Sequence, residues 1–457
     1  MAEVQTQTTK SKVEEDQQQA PLYGDILESI LSHVPLLHLV PACHVSKSWS
    51  HAVSSSLRHF HRNTKPWLIV LTQTTRYPYV TSARAYDPAS QVWIDIHPQP
   101  SDIPSIPILR SSHSTLLYML SPSKFAFSTD PLHHTWHHAA APLVWRTDPI
   151  VALVGHRIIV AGGTCDYEDD PLAVEMYDVT TRTWDTCDSM PAILKDSAAS
   201  TWLSVAVDDS KMYVTEKISG VTYSFDPNSK AWFGPYDLGP DGSVFSSVIG
   251  FTNGRLILVG AVGNAENLKG VKVWDVKGAS LERKEMIGEM PAEMAKKLKG
   301  ESGCVASIGM SCMGNSVCLH NPAEPAEIII CELEGGGCRW VSVHNDVVND
   351  GSRMQRLVVT CSNVGLPDLH KAVQVGALRI AFLVVKIQWG WFSLFCGGKV
   401  YDIPARSVVF HVAGHKLVSI NGCQKRNLPC QDSTGYNSGQ LPCVCTGGLS
   451  VRTLHTQ

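Results

Sequence analysis

A surplus of charge of either sign is the first thing this sequence lacks. Its 38 Lys and Arg face 42 Asp and Glu, for a net charge of −4. No basic field is available to hold a phosphate backbone or an anionic membrane surface, so tight binding to nucleic acid or membrane is not expected. The opening MAEVQTQTTKSKVEEDQQQ has none of the apolar core of a secretory signal, which points to the cytoplasm and/or the nucleus. Polar, Gln-rich and without apolar periodicity, residues 1–20 read as a disordered tail.

Catalytic signatures are also missing. There is no glycine-rich phosphate loop, no nucleophile elbow, no HExxH and no carboxylate pair that stands out. The 14 cysteines include no CxxC pair, so a zinc site has little support and buried thiols are the simpler reading. His133, His134, His137 and His138 cluster around Trp136, but neighbours along a strand alternate faces instead of converging. No intrinsic catalysis, metal or cofactor is expected.

What is present is a large apolar fraction, 44%, enough for an extensive core. Two textures divide it. Leu22, Ile26, Leu27, Ile30, Leu31 and Val34 fall on one helical stripe, with Asp25 and Glu28 spaced as a capping box and Pro35 as the stop. A second short helix from Leu36 to about Cys43 contains Pro41. A third begins near Ser46 and aligns Trp49, Ala52, Val53, Leu57 and Phe60. About forty residues bury little core alone, so residues 21–62 should lean on a partner.

From Trp67 the period changes. YDPASQVW, STDPLHHTW, YDVTTRTW and FDPNSKAW recur, their tryptophans (Trp93, Trp136, Trp184, Trp232) spaced 43, 48 and 48 residues apart. VWDVKGASLE and CELEGGGCRW, ending at Trp340, are degenerate copies. In these units an aromatic or apolar residue closes a strand, Asp-Pro sets a turn in three of the four clear copies, and Trp opens the next strand against a neighbouring blade. Strands such as Arg157–Ala161, Lys211–Thr215 and Arg255–Val259 precede the turns; the first ends in Gly162-Gly163, which permits a close backbone approach. A repeat near fifty residues predicts a mainly β chain, a propeller of five or six blades over residues 66–374.

Residues 375–457 break the pattern. Val375–Gly397 is long enough for a membrane helix, but Arg379, Lys386 and Gln388 interrupt it, so no membrane span is expected. The segment reads as an atypical tail, disordered or foreign to the fold of the rest.

Residues 22–53 resemble an F-box: Leu22, Ile26-Leu27-Glu28-Ser29-Ile30-Leu31, Val34-Pro35, and the more specific Val45-Ser46-Lys47-Ser48-Trp49. Tyr23 stands where that family has proline, and Pro41 is a second departure. The repeats resemble kelch motifs, best in the copy holding Gly162-Gly163, Tyr177 and Trp184. The order of the two is similar to the plant F-box/kelch-repeat family. That resemblance implies a substrate receptor of an SCF-type ubiquitin ligase, binding a Skp-type adaptor and through it a cullin. It also implies a target protein, with enzymes of phenylpropanoid and flavonoid synthesis among those that members recognise.

Carried onto this chain, the resemblance assigns adaptor contact to Leu22, Ile26, Leu27, Ile30, Leu31, Pro35, Val45 and Trp49; the alternative is that they form only an internal helical core. Target-binding candidates lie on the propeller rim, in Arg110–His113, Asp148-Pro149, Thr164–Pro171 and Lys195–Ser197. Within these, Arg110, His113, Asp148, Asp166, Asp169 and Lys195 are the candidate residues, and the acidic Asp166, Glu168, Asp169 and Asp170 after the double glycine would steer a basic patch on a partner. A solvated loop is the plainer reading of any one of them. A kelch scaffold whose F-box no longer engages a ligase is the second functional reading, motivated by Tyr23 and Pro41.

Overall fold

The structure is a computed structural model. It describes residues 24–59, 65–76, 80–96, 108–133, 135–163, 170–240, 242–278, 280–347 and 355–374, and the backbone of 386–396, 399–412 and 415–419. The chain divides into two compact units, one of residues 1–34, 41–61 and 380–457, the other of 35–40 and 62–379.

Three helices come first: α1 (Asp25–Ser32), α2 (Leu36–Cys43) and α3 (Lys47–His59). The capping box expected at α1 does not form. Gly24, at φ 65°, is the N-cap and no side chain caps it, while Asp25 is already helical. The cap that does form is at α3, where Ser46 Oγ accepts the Trp49 N–H at 3.2 Å. That bond satisfies one of the helix's orphan donors. Pro41 sits inside α2, which ends two residues later in tight turns (His44 N–H to Pro41 O, Val45 N–H to Ala42 O).

The strands build six four-stranded antiparallel sheets, the blades of a propeller. Blade 1 holds β1 (Trp67–Thr74), β2 (Thr81–Asp87) and β3 (Val92–Ile96); blade 2 holds β4 (Leu109–Arg110), β5 (Leu117–Ser121), β6 (Lys124–Ser128) and β7 (His137–Ala140). Blade 3 follows with β8 (Ile150–Val154), β9 (Arg157–Ala161), β10 (Val174–Asp178) and β11 (Thr183–Thr186). Blade 4 has β12 (Leu203–Val207), β13 (Met212–Glu216), β14 (Val221–Asp226) and β15 (Ala231–Asp237). Blade 5 has β16 (Val244–Thr252), β17 (Arg255–Gly263), β18 (Leu268–Lys277) and β19 (Arg283–Glu289), with α4 (Ala292–Lys299) after it. Blade 6 has β20 (Gly309–Met313), β21 (Ser316–His320), β22 (Glu327–Glu334) and β23 (Gly337–His344). The ring closes when β24 (Gln355–Ser362) pairs with β1 from Trp67↔Ser362 to Thr74↔Gln355, becoming the innermost strand of blade 1. Six blades is thus the count. Helix α5 (Leu366–Gln374) follows.

Core forms between blades because strand side chains alternate faces. On β9, Ile159 and Ala161 join the cluster shared with blade 4, whereas Ile158 and Val160 join the one shared with blade 2. Each of the fully buried isoleucines and valines contributes roughly 1.5–3 kcal/mol. Buried thiols fill the same layers: Cys318 and Cys361 sit in the cluster joining blades 6 and 1, their sulfurs 3.9 Å apart.

The repeat has a mechanical explanation. Tyr86 faces Trp93, Tyr177 faces Trp184 and Phe225 faces Trp232 across adjacent strands, with ring centroids 5.3, 5.2 and 5.1 Å apart. Each indole N–H then donates to a backbone carbonyl of the preceding blade: Trp93 to His344 (3.0 Å), Trp184 to Ala140 (3.0 Å), Trp232 to Asp188 (3.1 Å). The turn between them depends on aspartate more than on proline. Asp178, with no proline after it, accepts the Thr180 and Thr181 N–H groups, and Arg182 takes up φ 61°. In blade 2 the strand opens at His137, which stacks on Phe127, and Trp136 lies just outside it. In blade 5 the tryptophan is on the third strand, where Trp274 faces Met286.

Of the segment read as an atypical tail, β25 (Lys386–Cys396), β26 (Lys399–Val412) and β27 (His415–Ser419) form a three-stranded antiparallel sheet. Residues 420–457 lie outside the described residues, as do residues 1–20. Among the described residues no helix is long and apolar enough to cross a membrane.

Candidate adaptor and target surfaces

Helix α1 presents two apolar stripes. Leu27 and Leu31 are buried and supply the packing of α1 on α3, whereas Ile26 and Ile30, one position earlier on the same turns, stay half-buried. Glu28 of α1 meets His59 of α3 at 3.4 Å. Pro35 and Trp49 are also half-buried, and Val45 is 54% exposed. The eight adaptor-contact candidates therefore split. Leu27 and Leu31 belong to the internal core, Ile26, Ile30, Pro35, Val45 and Trp49 offer apolar surface, and Leu22 lies outside the described residues. The Ser46 cap explains the spacing of Val-Ser-Lys-x-Trp, since it fixes Val45 before the helix and Trp49 in its first turn.

The propeller has two faces. One, here the upper, carries the loops between second and third strands and the loops that cross to the next blade. Among the described residues eleven large apolar side chains are exposed, and seven of them lie on this face: Val80, Ile108, Leu143, Trp145, Ile193, Trp202 and Ile218. Leu143 is 78% and Ile218 63% exposed. Single exposed apolar residues are ordinary, but concentration on one face marks a binding surface.

A buried ion pair supports it. Arg146 and Glu175, both almost wholly inaccessible, meet at 2.5 Å. Glu175 also accepts the Leu143 N–H (2.6 Å) and the Val144 N–H (3.2 Å), while Arg146 donates to the carbonyls of Val144 and Ala173. The loop bearing Leu143 and Trp145 is thereby clamped to β10. Gly162 and Gly163 serve the same region: a Cβ on the first would collide with Ala198 O and on the second with Thr147 O.

Several of the charged rim candidates are engaged by neighbouring loops. Arg110 and Asp148 pair with each other, and Asp148 further accepts from Ser200 Oγ (2.7 Å) and Thr201 Oγ1 (2.8 Å). These groups tie loops together and offer little free charge. His113 is half-buried, accepts the Leu153 N–H at 3.2 Å, and has its pKa pushed down to about 4 by desolvation. Lys195 is exposed on a short 3-10 helix (Ala192–Ser197). Asp166 and Asp169 lie outside the described residues. Sequence reasoning passed over Leu143, Trp145, Trp202 and Ile218, whose signal was apolar residues inside loops.

Among the described residues no three metal-ligating side chains converge. His133 Nδ1 donates to the Asp130 carboxylate (2.6 Å) and its Nε2 lies 2.8 Å from Asp368 O, while His137 stacks on Phe127; His134 lies outside the described residues.

Residues 24–61 match the F-box domain family model. The chain is 47% identical over 369 residues to the F-box/kelch-repeat protein At1g23390 of Arabidopsis thaliana, covering 78% of this chain and 93% of that one. The chain belongs to the F-box/kelch-repeat family. Helices α1 to α3 are its F-box and the six blades its kelch propeller. Among solved structures, a chain of the nidogen/laminin complex matches at 12% identity and a TM-score of 0.38, covering 65% of this chain and 99% of that one.

Proposed function

We propose that this F-box/kelch-repeat protein is a substrate receptor of an SCF-type ubiquitin ligase. Its F-box docks on a Skp-type adaptor, and through it a cullin, by Ile26, Ile30, Pro35, Val45 and Trp49. The upper face of the propeller holds a target protein by Leu143, Trp145, Ile193, Trp202 and Ile218. The chain contributes no chemistry of its own: holding the target beside a charged conjugating enzyme raises the effective concentration of its lysines. The carrying observation is an F-box in the same chain as a propeller whose exposed apolar residues gather on one face.

Enzymes of phenylpropanoid and flavonoid synthesis are the target class that the family resemblance suggests. Co-purification with the full chain, with and without proteasome inhibition, tests this reading. A captured protein that accumulates on inhibition and is shortened in half-life by overexpression of the chain supports the receptor. A captured protein whose half-life is unchanged supports the scaffold reading, which Pro41 inside α2 favours.

A further inference from the structure

The six innermost strands surround an axial channel whose upper part is a cavity of about 180 Å³. Most polar groups in its wall are already engaged. Ser112 Oγ accepts the Val151 N–H (3.0 Å), Ser204 Oγ accepts the Ile249 N–H (2.9 Å), and Ser311 Oγ donates to Val359 O (2.8 Å). These hydroxyls latch neighbouring blades together.

Two nitrogen-bearing side chains are left over. Lys217, from the β13–β14 loop, donates one bond to Thr201 O (2.8 Å), and among the described residues no carboxylate lies within ion-pair distance of its Nζ. Its pKa is pushed down to about 8 by burial. His320, on the second strand of blade 6, reaches the cavity over Gly309 of the innermost strand; a Cβ at Gly309 would overlap the imidazole ring. Its Nδ1 is buried beyond the reach of water with no hydrogen-bond partner among the described residues, which leaves Nε2 as the ring nitrogen that can face the cavity. The cavity lining contains no Asp or Glu, and Asp148, at the same end of the propeller, is engaged by Arg110, Ser200 and Thr201. A half-buried cation without a counter-charge is costly to desolvate, and an unpartnered buried imidazole nitrogen adds to that cost.

We propose that the upper channel is a binding site for a small oxyanion, a carboxylate or phosphate monoester on a compact polar body, with Lys217 as its counter-charge and His320 as its second hydrogen-bonding partner. The site is recessed inside the ring, which fits a free small molecule. It is independent of the receptor reading, since occupancy requires neither adaptor nor target.

The test is calorimetry and thermal unfolding of the purified full-length chain with glycerate, glycerol 3-phosphate and neutral glycerol at millimolar concentration. Binding and a raised Tm with at least one anion, and none with glycerol, are expected; the two anion arms separate carboxylate from phosphate. His320→Gln should weaken that binding by about tenfold, the worth of a hydrogen bond to a charged group. Lys217→Met should abolish it while leaving the ligand-free protein at least as stable as wild type. A response to glycerol equal to that of the anions, or an anion response that survives in Lys217→Met, would overturn the site. So would a chain that ignores both anions but loses target capture in Lys217→Met, since the channel would then take a partner's side chain.

Discussion

Trp184 of blade 3 donates its indole N–H to the backbone carbonyl of Ala140 in blade 2, at 3.0 Å. The same bond recurs from Trp93 to His344 and from Trp232 to Asp188, so in blades 1, 3 and 4 one side chain ties the blade to the chain of the blade before. Replacing Trp184 by Phe keeps an aromatic partner for Tyr177 and removes only the donor. A loss of about 1 kcal/mol at most is expected in urea unfolding, because the bond lies near the surface. Trp184→Ala should cost clearly more, since the ring pair goes as well.

The Arg146–Glu175 pair predicts a larger effect. Breaking a buried pair leaves an uncompensated charge, so Glu175→Leu alone should destabilise by about 3–5 kcal/mol. The double variant Arg146→Met/Glu175→Leu should recover much of that loss. Denaturant titration of the four proteins reads the coupling directly.

Acid stability should depend on two histidines. Burial pushes His113 and His320 down to about 4 from the ordinary 6.5. Between pH 6.5 and 4 the unfolded chain binds protons that the folded chain excludes, so stability falls as the pH drops through that window. Each histidine contributes a slope of up to about 1.4 kcal/mol per pH unit. Unfolding free energy measured against pH should flatten over this interval in His113→Gln and again in His320→Gln.

The target surface is separable from the F-box. Leu143→Asp with Ile218→Asp should abolish capture of the target by the propeller and leave adaptor binding and Tm essentially unchanged, because both side chains are exposed. Capture that persists in the double variant would place the target elsewhere.

The repeats were legible because the spacing of Trp93, Trp184 and Trp232 reflects a bond made at the same position in blades 1, 3 and 4. Blade 2 was read one residue out of place, since His137 rather than Trp136 occupies the pairing position. Closure by β24 could not be read, because strand pairing between Trp67 and Ser362 leaves no local pattern. The pairing of the rim candidates Arg110 and Asp148 was not legible, because loops distant in the chain bring them together. At α1 the Asp25–Glu28 spacing suggested a capping box, yet Gly24 begins the helix and the working cap is Ser46 at α3.

The central claim is most directly tested by adaptor binding. Purified full-length chain should capture a Skp-type adaptor, and Val45→Asp or Ile30→Asp should lose it with the circular dichroism and Tm of the wild type. Capture undiminished in both variants, or no capture by the wild-type chain, would contradict the receptor account.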